Sequence, residues 1–98
     1  MSAITVVAKI VANQDAIEPV KAELLKMIAL TRQEPGCREY RLHQDSQDPA
    51  VFLFYENWDN LSCLEQHLSS THYRGYVDAV ADLIASKVVH KLDEITLR

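Results

Sequence analysis

The sequence predicts an α+β fold with one sheet and helices packed on one side of it. Three observations carry this. Short segments rich in β-branched residues alternate with amphipathic stretches of helical period, in the order β-α-β-β-α-β. The 98 residues suit one domain spanning 1–98 and leave no room for a second. The first strand is apolar on both faces, so both of its sides call for cover. The element order is the split βαβ, ferredoxin-like motif: a four-stranded antiparallel sheet with helices on one face.

Residues 3–12 (AITVVAKIVA) form the first strand, with Ile4, Val6, Ala8 and Ile10 on one face and Thr5, Val7, Lys9 and Val11 on the other. Asn13, Gln14 and Asp15 are candidate caps for the helix that follows, and Asp15 and Glu18 suit its positive end. Pro19 fits the first turn, where no intrahelical donor is lost. Ile17, Val20, Leu24, Met27, Ile28 and Thr31 then recur at three- and four-residue steps until Pro35-Gly36 ends the helix. Residues 37–45 and 50–58 read as a hairpin around Ser46-Gln47-Asp48-Pro49. Pairing Asp45 with Ala50 sets His43 opposite Phe52, Arg41 opposite Phe54 and Glu39 opposite Glu56. Asp59 or Asn60 caps the next helix, whose stripe is Leu61, Leu64 and Leu68 with His67 beside it. Ser69-Ser70-Thr71 breaks it. Thr71 then caps a further segment carrying Tyr73, Val77, Val80, Ala81 and Ile84, and residues 88–97 make the last strand.

On this register Phe52, Phe54 and Trp58 lie on the face without helices. Such a patch is unusual on a soluble monomer, and a homodimer through that sheet face covers it. The net charge of -4 and the pI near 5.4 disfavour nucleic acid and anionic membranes as partners, since both are met by basic surfaces. No apolar run approaches the ~20 residues of a membrane span. The N-terminus enters a strand with no basic leader, so the expected location is cytoplasmic. Cys37 and Cys63 form no C-x-x-C pair and read as reduced structural thiols.

The two glycines, Gly36 and Gly75, build no phosphate loop and no dinucleotide fingerprint. His67 and His72 are five residues apart, an awkward spacing for one helix face, and no established metal-ligand spacing appears. The expectation is therefore no cofactor and no metal. His43, His72 and His90 read as surface or hydrogen-bonded residues. His67 stands apart, because it adjoins a buried stripe close in sequence to Tyr55-Glu56-Asn57-Trp58 and to Tyr73 and Tyr76. Aromatic walls with a few polar groups make a small-molecule pocket.

These residues carry a resemblance. Thr31-Arg32-x-Glu34-Pro35-Gly36-Cys37, Tyr40-x-Leu42, Phe54-Tyr55-Glu56-x-Trp58, and His67-Leu68 followed by His72-Tyr73 occur in the order seen in the antibiotic biosynthesis monooxygenase family. The chain resembles that family over nearly its whole length. The resemblance implies a dimeric α+β barrel and a range of activities. Some members oxidise quinols or polyketide phenols with dioxygen and neither metal nor flavin, some degrade haem, and one branch isomerises a small phosphorylated metabolite. The haem branch uses a histidine just after the position of Tyr76, where this chain has Val77, and an asparagine that the first strand lacks. The polyketide branch shares the tryptophan matching Trp58 but carries polar residues at the positions of Phe54 and Leu64. The quinol-monooxygenase-like branch fits best.

The expected activity is cofactor-independent monooxygenation of a small aromatic or quinol-type substrate. His67 is the candidate base, since imidazole titrates near neutrality. Tyr73 and Asn57 are candidates to orient the substrate oxygen, and Phe54, Tyr55, Glu56, Trp58 and Tyr76 to form the pocket. Two alternatives stay open: an isomerase or lyase of the same fold using His67 without oxygen, and a non-catalytic small-molecule-binding dimer.

Overall fold

The computed structural model describes residues 2–97. Strand β1 (Ile4–Ala12) leads to helix α1 (Ile17–Arg32), the hairpin β2 (Cys37–Gln44) and β3 (Val51–Trp58), helices α2 (Leu61–Leu68) and α3 (Thr71–Val80), and strand β4 (Ile84–Leu92). The sheet has four strands in the order β2-β3-β1-β4, and every neighbouring pair is antiparallel. This is the ferredoxin-like arrangement, with the second helical region split in two.

Alternation along the strands decides which residues meet the helices. Val6, Ala8, Ile10 and Ala12 of β1 and Phe52, Phe54, Glu56 and Trp58 of β3 are buried beneath the helical layer. From above, α1 contributes Val20, Leu24, Met27 and Thr31, α2 contributes Leu64 and His67, and α3 contributes Tyr76 and Val80. Leu61 and Leu68 of α2 lie on the exposed side, so the buried line of that short helix is Leu64 and His67.

This packing corrects the hairpin register. Leu42 pairs with Phe54, Arg41 with Tyr55 and His43 with Leu53, one residue away from the expected pairing. Ala50 is the cause. It belongs to the loop, where its N–H donates to Asp48 Oδ1 at 3.0 Å, while Asp45 N–H reaches Val51 O at 2.9 Å. A slip of one residue exchanges the faces. Phe52, Phe54 and Trp58 are therefore covered by helices, and the open face carries Val51, Leu53 and Tyr55 instead.

Three smaller expectations are also revised. Ala16, not Asn13, Gln14 or Asp15, occupies the N-cap of α1, and no side chain caps it. Asn13 is engaged elsewhere: its backbone N–H donates to Leu83 O at 2.9 Å and its amide to Asp82 O at 3.2 Å. Ser70 rather than Thr71 caps α3. The last strand begins at Ile84 and ends at Leu92, because residues 84–92 are the ones that pair along β1.

Gly36 closes the α1–β2 connection at φ 82°, in the left-handed region that favours glycine. A Cβ there would collide with the Cys63 side chain. The connection is held by Glu34 N–H on Thr31 O at 3.0 Å and Cys37 N–H on Glu34 O at 3.2 Å. It fixes where Glu34 points. No helix among the described residues is long and apolar enough to cross a membrane.

Candidate active site

A cavity of about 40 Å³ lies between the helix-covered sheet face and the α2–α3 pair. Val6, Ala8, Ile10 and Phe54 form its floor, and His67, Tyr73 and Tyr76 its wall. Lys87, Val89 and Lys91 border it from β4, since they pair with Ile10, Ala8 and Val6 and so share their face. The space suits a water molecule, whereas a benzene-sized ligand takes roughly 150 Å³. An aromatic ligand enters only if rim side chains swing out. Tyr73 and Lys87 are placed for this: Lys87 Nζ donates to Tyr73 Oη at 2.8 Å and lies 5.3 Å from the ring centre.

His67 is 2% exposed and packed on three sides by rings. The centroids of Trp58, Tyr73 and Tyr40 lie 4.8, 5.1 and 5.7 Å from its own. Its Nδ1 is 2.6 Å from Glu34 Oε2. Burial pushes its pKa down, opposed by the hydrogen bond and charge of Glu34 and assisted by His72. The neutral ring next to a carboxylate carries its proton on Nδ1, donated to Glu34, and this leaves a lone pair on Nε2. Nε2 has no hydrogen-bond partner among the described residues. The arrangement is an imidazole oriented by a carboxylate, the geometry that catalytic dyads and triads use.

The helix break builds this constellation. Ser70 Oγ donates to His67 O at 2.6 Å and accepts from Tyr73 N–H at 3.3 Å, ending α2 and starting α3. The turn returns His72 to the same carboxylate, with Nε2 at 2.9 Å from Glu34 Oε2 and 3.4 Å from both Thr31 Oγ1 and Ser70 Oγ. The sequence spacing suggested no metal site. In the structure Glu34, His67 and His72 present ligand atoms within 4.8 Å of one another, and these are the residues that could hold a divalent ion.

Glu56 faces the cavity beneath Trp58, whose indole N–H donates to its Oε1 at 3.0 Å. Burial raises its pKa to about 7, against the Trp58 hydrogen bond and the Lys87 charge. Tyr40 stacks on Phe54 at 4.5 Å, and burial pushes its pKa far up. Burial, with help from Glu34 and Glu56, lifts the Cys37 thiol to about 11, so it is no nucleophile at neutral pH.

Of the residues singled out in the sequence, His67, Tyr73, Phe54, Glu56 and Tyr76 meet at this cavity. Trp58 stacks behind His67 and is fully buried. Asn57 and Tyr55 do not join them, because odd and even residues of β3 face opposite ways. Asn57 lies on the open face, accepting from Thr5 Oγ1 at 2.5 Å and donating to Glu39 Oε1 at 2.9 Å. Tyr55 is there too, 37% exposed. Sequence reasoning gave no role to Glu34, His72 or Lys87. An acid between a helix end and Pro35-Gly36 looks solvated in sequence, and only the fold shows that it points inward.

The model of the family described as "Antibiotic biosynthesis monooxygenase" matches residues 3–79. The chain belongs to that family. It is 34% identical over 97 residues to "Putative monooxygenase Rv0793" of Mycobacterium tuberculosis, covering 95% of each chain. The solved structure of Rv0793 superposes with a TM-score of 0.91 over 98% of both chains. PA3566 from Pseudomonas aeruginosa superposes with a TM-score of 0.93 at 28% identity, over 98% of this chain and 97% of that one. These relatives share the fold, and the family is named for oxygenation.

Proposed function

We propose that this protein is a monooxygenase that oxidises a small quinol-type aromatic with dioxygen, without metal or flavin, using His67 as the base. The observation that carries the reading is His67, buried at the wall of an apolar cavity and held through Nδ1 by the half-buried Glu34, with Nε2 free to accept a proton. Triplet dioxygen reacts slowly with a neutral quinol. Removal of the phenolic proton by His67 Nε2 leaves an electron-rich anion, while Glu34 stabilises the imidazolium. The anion passes one electron to oxygen, and the radical pair then combines on the ring carbon. In the balanced reaction a quinol and one O₂ give a hydroxyquinone and one water, the substrate supplying all the electrons.

In this reading the working unit is a homodimer. The open sheet face presents Val7, Val11, Val51, Leu53, Tyr55, Val88 and Leu92, with Val88, Leu92 and Tyr55 exposed by 46%, 42% and 37%. An apolar face of this kind is covered most simply by its own copy.

One observation favours a second reading. Glu56, held near neutrality, faces the same cavity as His67, and two such groups suit an isomerase that moves a proton between carbons. The product decides. Chelator-treated, flavin-free protein incubated with 1,4-naphthoquinol is expected to yield 2-hydroxy-1,4-naphthoquinone by mass spectrometry. A product isomeric with its substrate, from any tested metabolite, would favour the isomerase.

A further inference from the structure

We propose that Tyr76 and Lys87 form an anion-holding pair in the cavity, so that the ligand it suits is a planar phenol or quinol bound as its anion. The proposal rests on the cavity being the substrate site and deepens that reading. Tyr76 is 6% exposed, lines the cavity, and its hydroxyl has no hydrogen-bond partner among the described residues. A buried hydroxyl without a partner is costly, and such a group in a cavity wall calls for an oxygen from a ligand. Burial holds its proton firmly in place, so Tyr76 donates and does not ionise.

Lys87 supplies the charge. It is paired with Ile10 in the sheet, which turns its side chain to the cavity side. Its ammonium meets Tyr73 Oη and no carboxylate among the described residues. Lys91 borders the cavity as well. Among the described residues the one acid lining the cavity, Glu56, has Oε1 occupied by the Trp58 indole. A protein of net charge -4 thus places two cations at the mouth of its apolar cavity.

The polar groups divide the work. His67 Nε2 is an acceptor, whereas Tyr76 O–H and Lys87 N–H are donors. A phenol O–H gives its proton to His67, and its oxygen keeps the electron pair. That oxygen then accepts from Tyr76 and Lys87, which releases Lys87 from Tyr73 and opens the rim. The flat floor of Ala8, Ile10 and Phe54 takes the ring.

The test uses 4-nitrophenol, whose anion is yellow, as a binding probe. The groups facing it are Tyr40, Glu56, His67, Tyr73, Tyr76, Lys87 and Lys91, so the titration is repeated in the variants and not judged on the native protein alone. Bound to the native protein, the probe is expected to ionise about one pH unit lower than free, meaning that the anion binds roughly tenfold tighter than the phenol. Tyr76→Phe keeps the packing ring, and Lys87→Met keeps the exposed strand. Each is expected to erase most of that tenfold preference, with an unchanged circular dichroism spectrum. Preference for the neutral phenol, failure of the native protein to bind the probe, or variants that bind the anion like the native protein would each overturn the proposal. The monooxygenase reading fails separately. Absence of oxygen uptake, with the Tyr76-dependent anion preference intact, would sink that reading and leave the anion pair standing.

Discussion

The two faces of the sheet are made from alternating residues of the same strands, and they have opposite characters. On the helix-covered face, Glu56 and His67 are buried polar groups among rings, with Glu34 reaching in from the edge. On the open face, Thr5, Asn57, Glu39 and Arg41 join in a chain of short polar contacts beside half-exposed valines. Both faces contain histidine. His67 is walled by three aromatic rings and bound to a carboxylate, whereas His43 and His90 are exposed. Residue type therefore does not mark the site. Desolvation marks it, because a low-dielectric wall shifts proton affinities and strengthens each hydrogen bond.

The largest difference between the faces is expected in turnover. His67→Ala is expected to lower kcat by roughly 10²–10⁴-fold, the range for removing a general base. His90→Ala on the open face is expected to leave it nearly unchanged. Equal losses in the two variants would abolish the distinction. The pH profile sharpens it. Since burial holds the His67 pKa below 6.5, activity is expected to rise with pH below that value and to be flat above it. The same shift favours the folded state above pH 6.5, and that stability is lost as the pH falls through the folded pKa.

Glu34→Gln should come next. It keeps a hydrogen-bond acceptor for His67 but removes the charge that stabilises the imidazolium. A loss of about 10–100-fold in kcat is expected from the strength of charge-assisted hydrogen bonds. A rise in KM with kcat unchanged would assign Glu34 to binding.

Glu56→Gln acts on stability. The Glu56 pKa is raised from 4.5 to about 7, so its folded form favours the protonated acid, and stability falls as the pH rises between those values. Glutamine retains an acceptor for Trp58 without the charge. Denaturant unfolding at pH 8 should show the variant more stable by about 1–3 kcal/mol, with the gap closing below pH 4.5. An equal gap at both pH values would mean that Glu56 is not held near neutrality. The smallest effect belongs to the open face. Asn57→Ala is expected to cost at most about 1 kcal/mol of stability and less than about twofold in kcat.

The element order was legible because each element carries its own period. Val6, Ala8 and Ile10 alternate, and Val20, Leu24, Met27 and Thr31 recur helically. The sidedness of the hairpin was not, because β3 is apolar at both parities: Val51, Leu53 and Tyr55 compete with Phe52, Phe54 and Trp58. One loop residue, Ala50, settled the contest. His67 was legible as a polar residue beside a buried stripe. Glu34 and His72 were not, since their meeting depends on Gly36 closing one turn and Ser70 another.

Oxygen consumption tests the central claim most directly. Chelator-treated, flavin-free protein is placed in an oxygen electrode with 1,4-naphthoquinol, against a protein-free record of autoxidation. One O₂ is expected to be consumed for each quinol oxidised, at a rate well above autoxidation that His67→Ala returns to the protein-free value. Uptake no faster than autoxidation, or uptake that His67→Ala leaves intact, would contradict it.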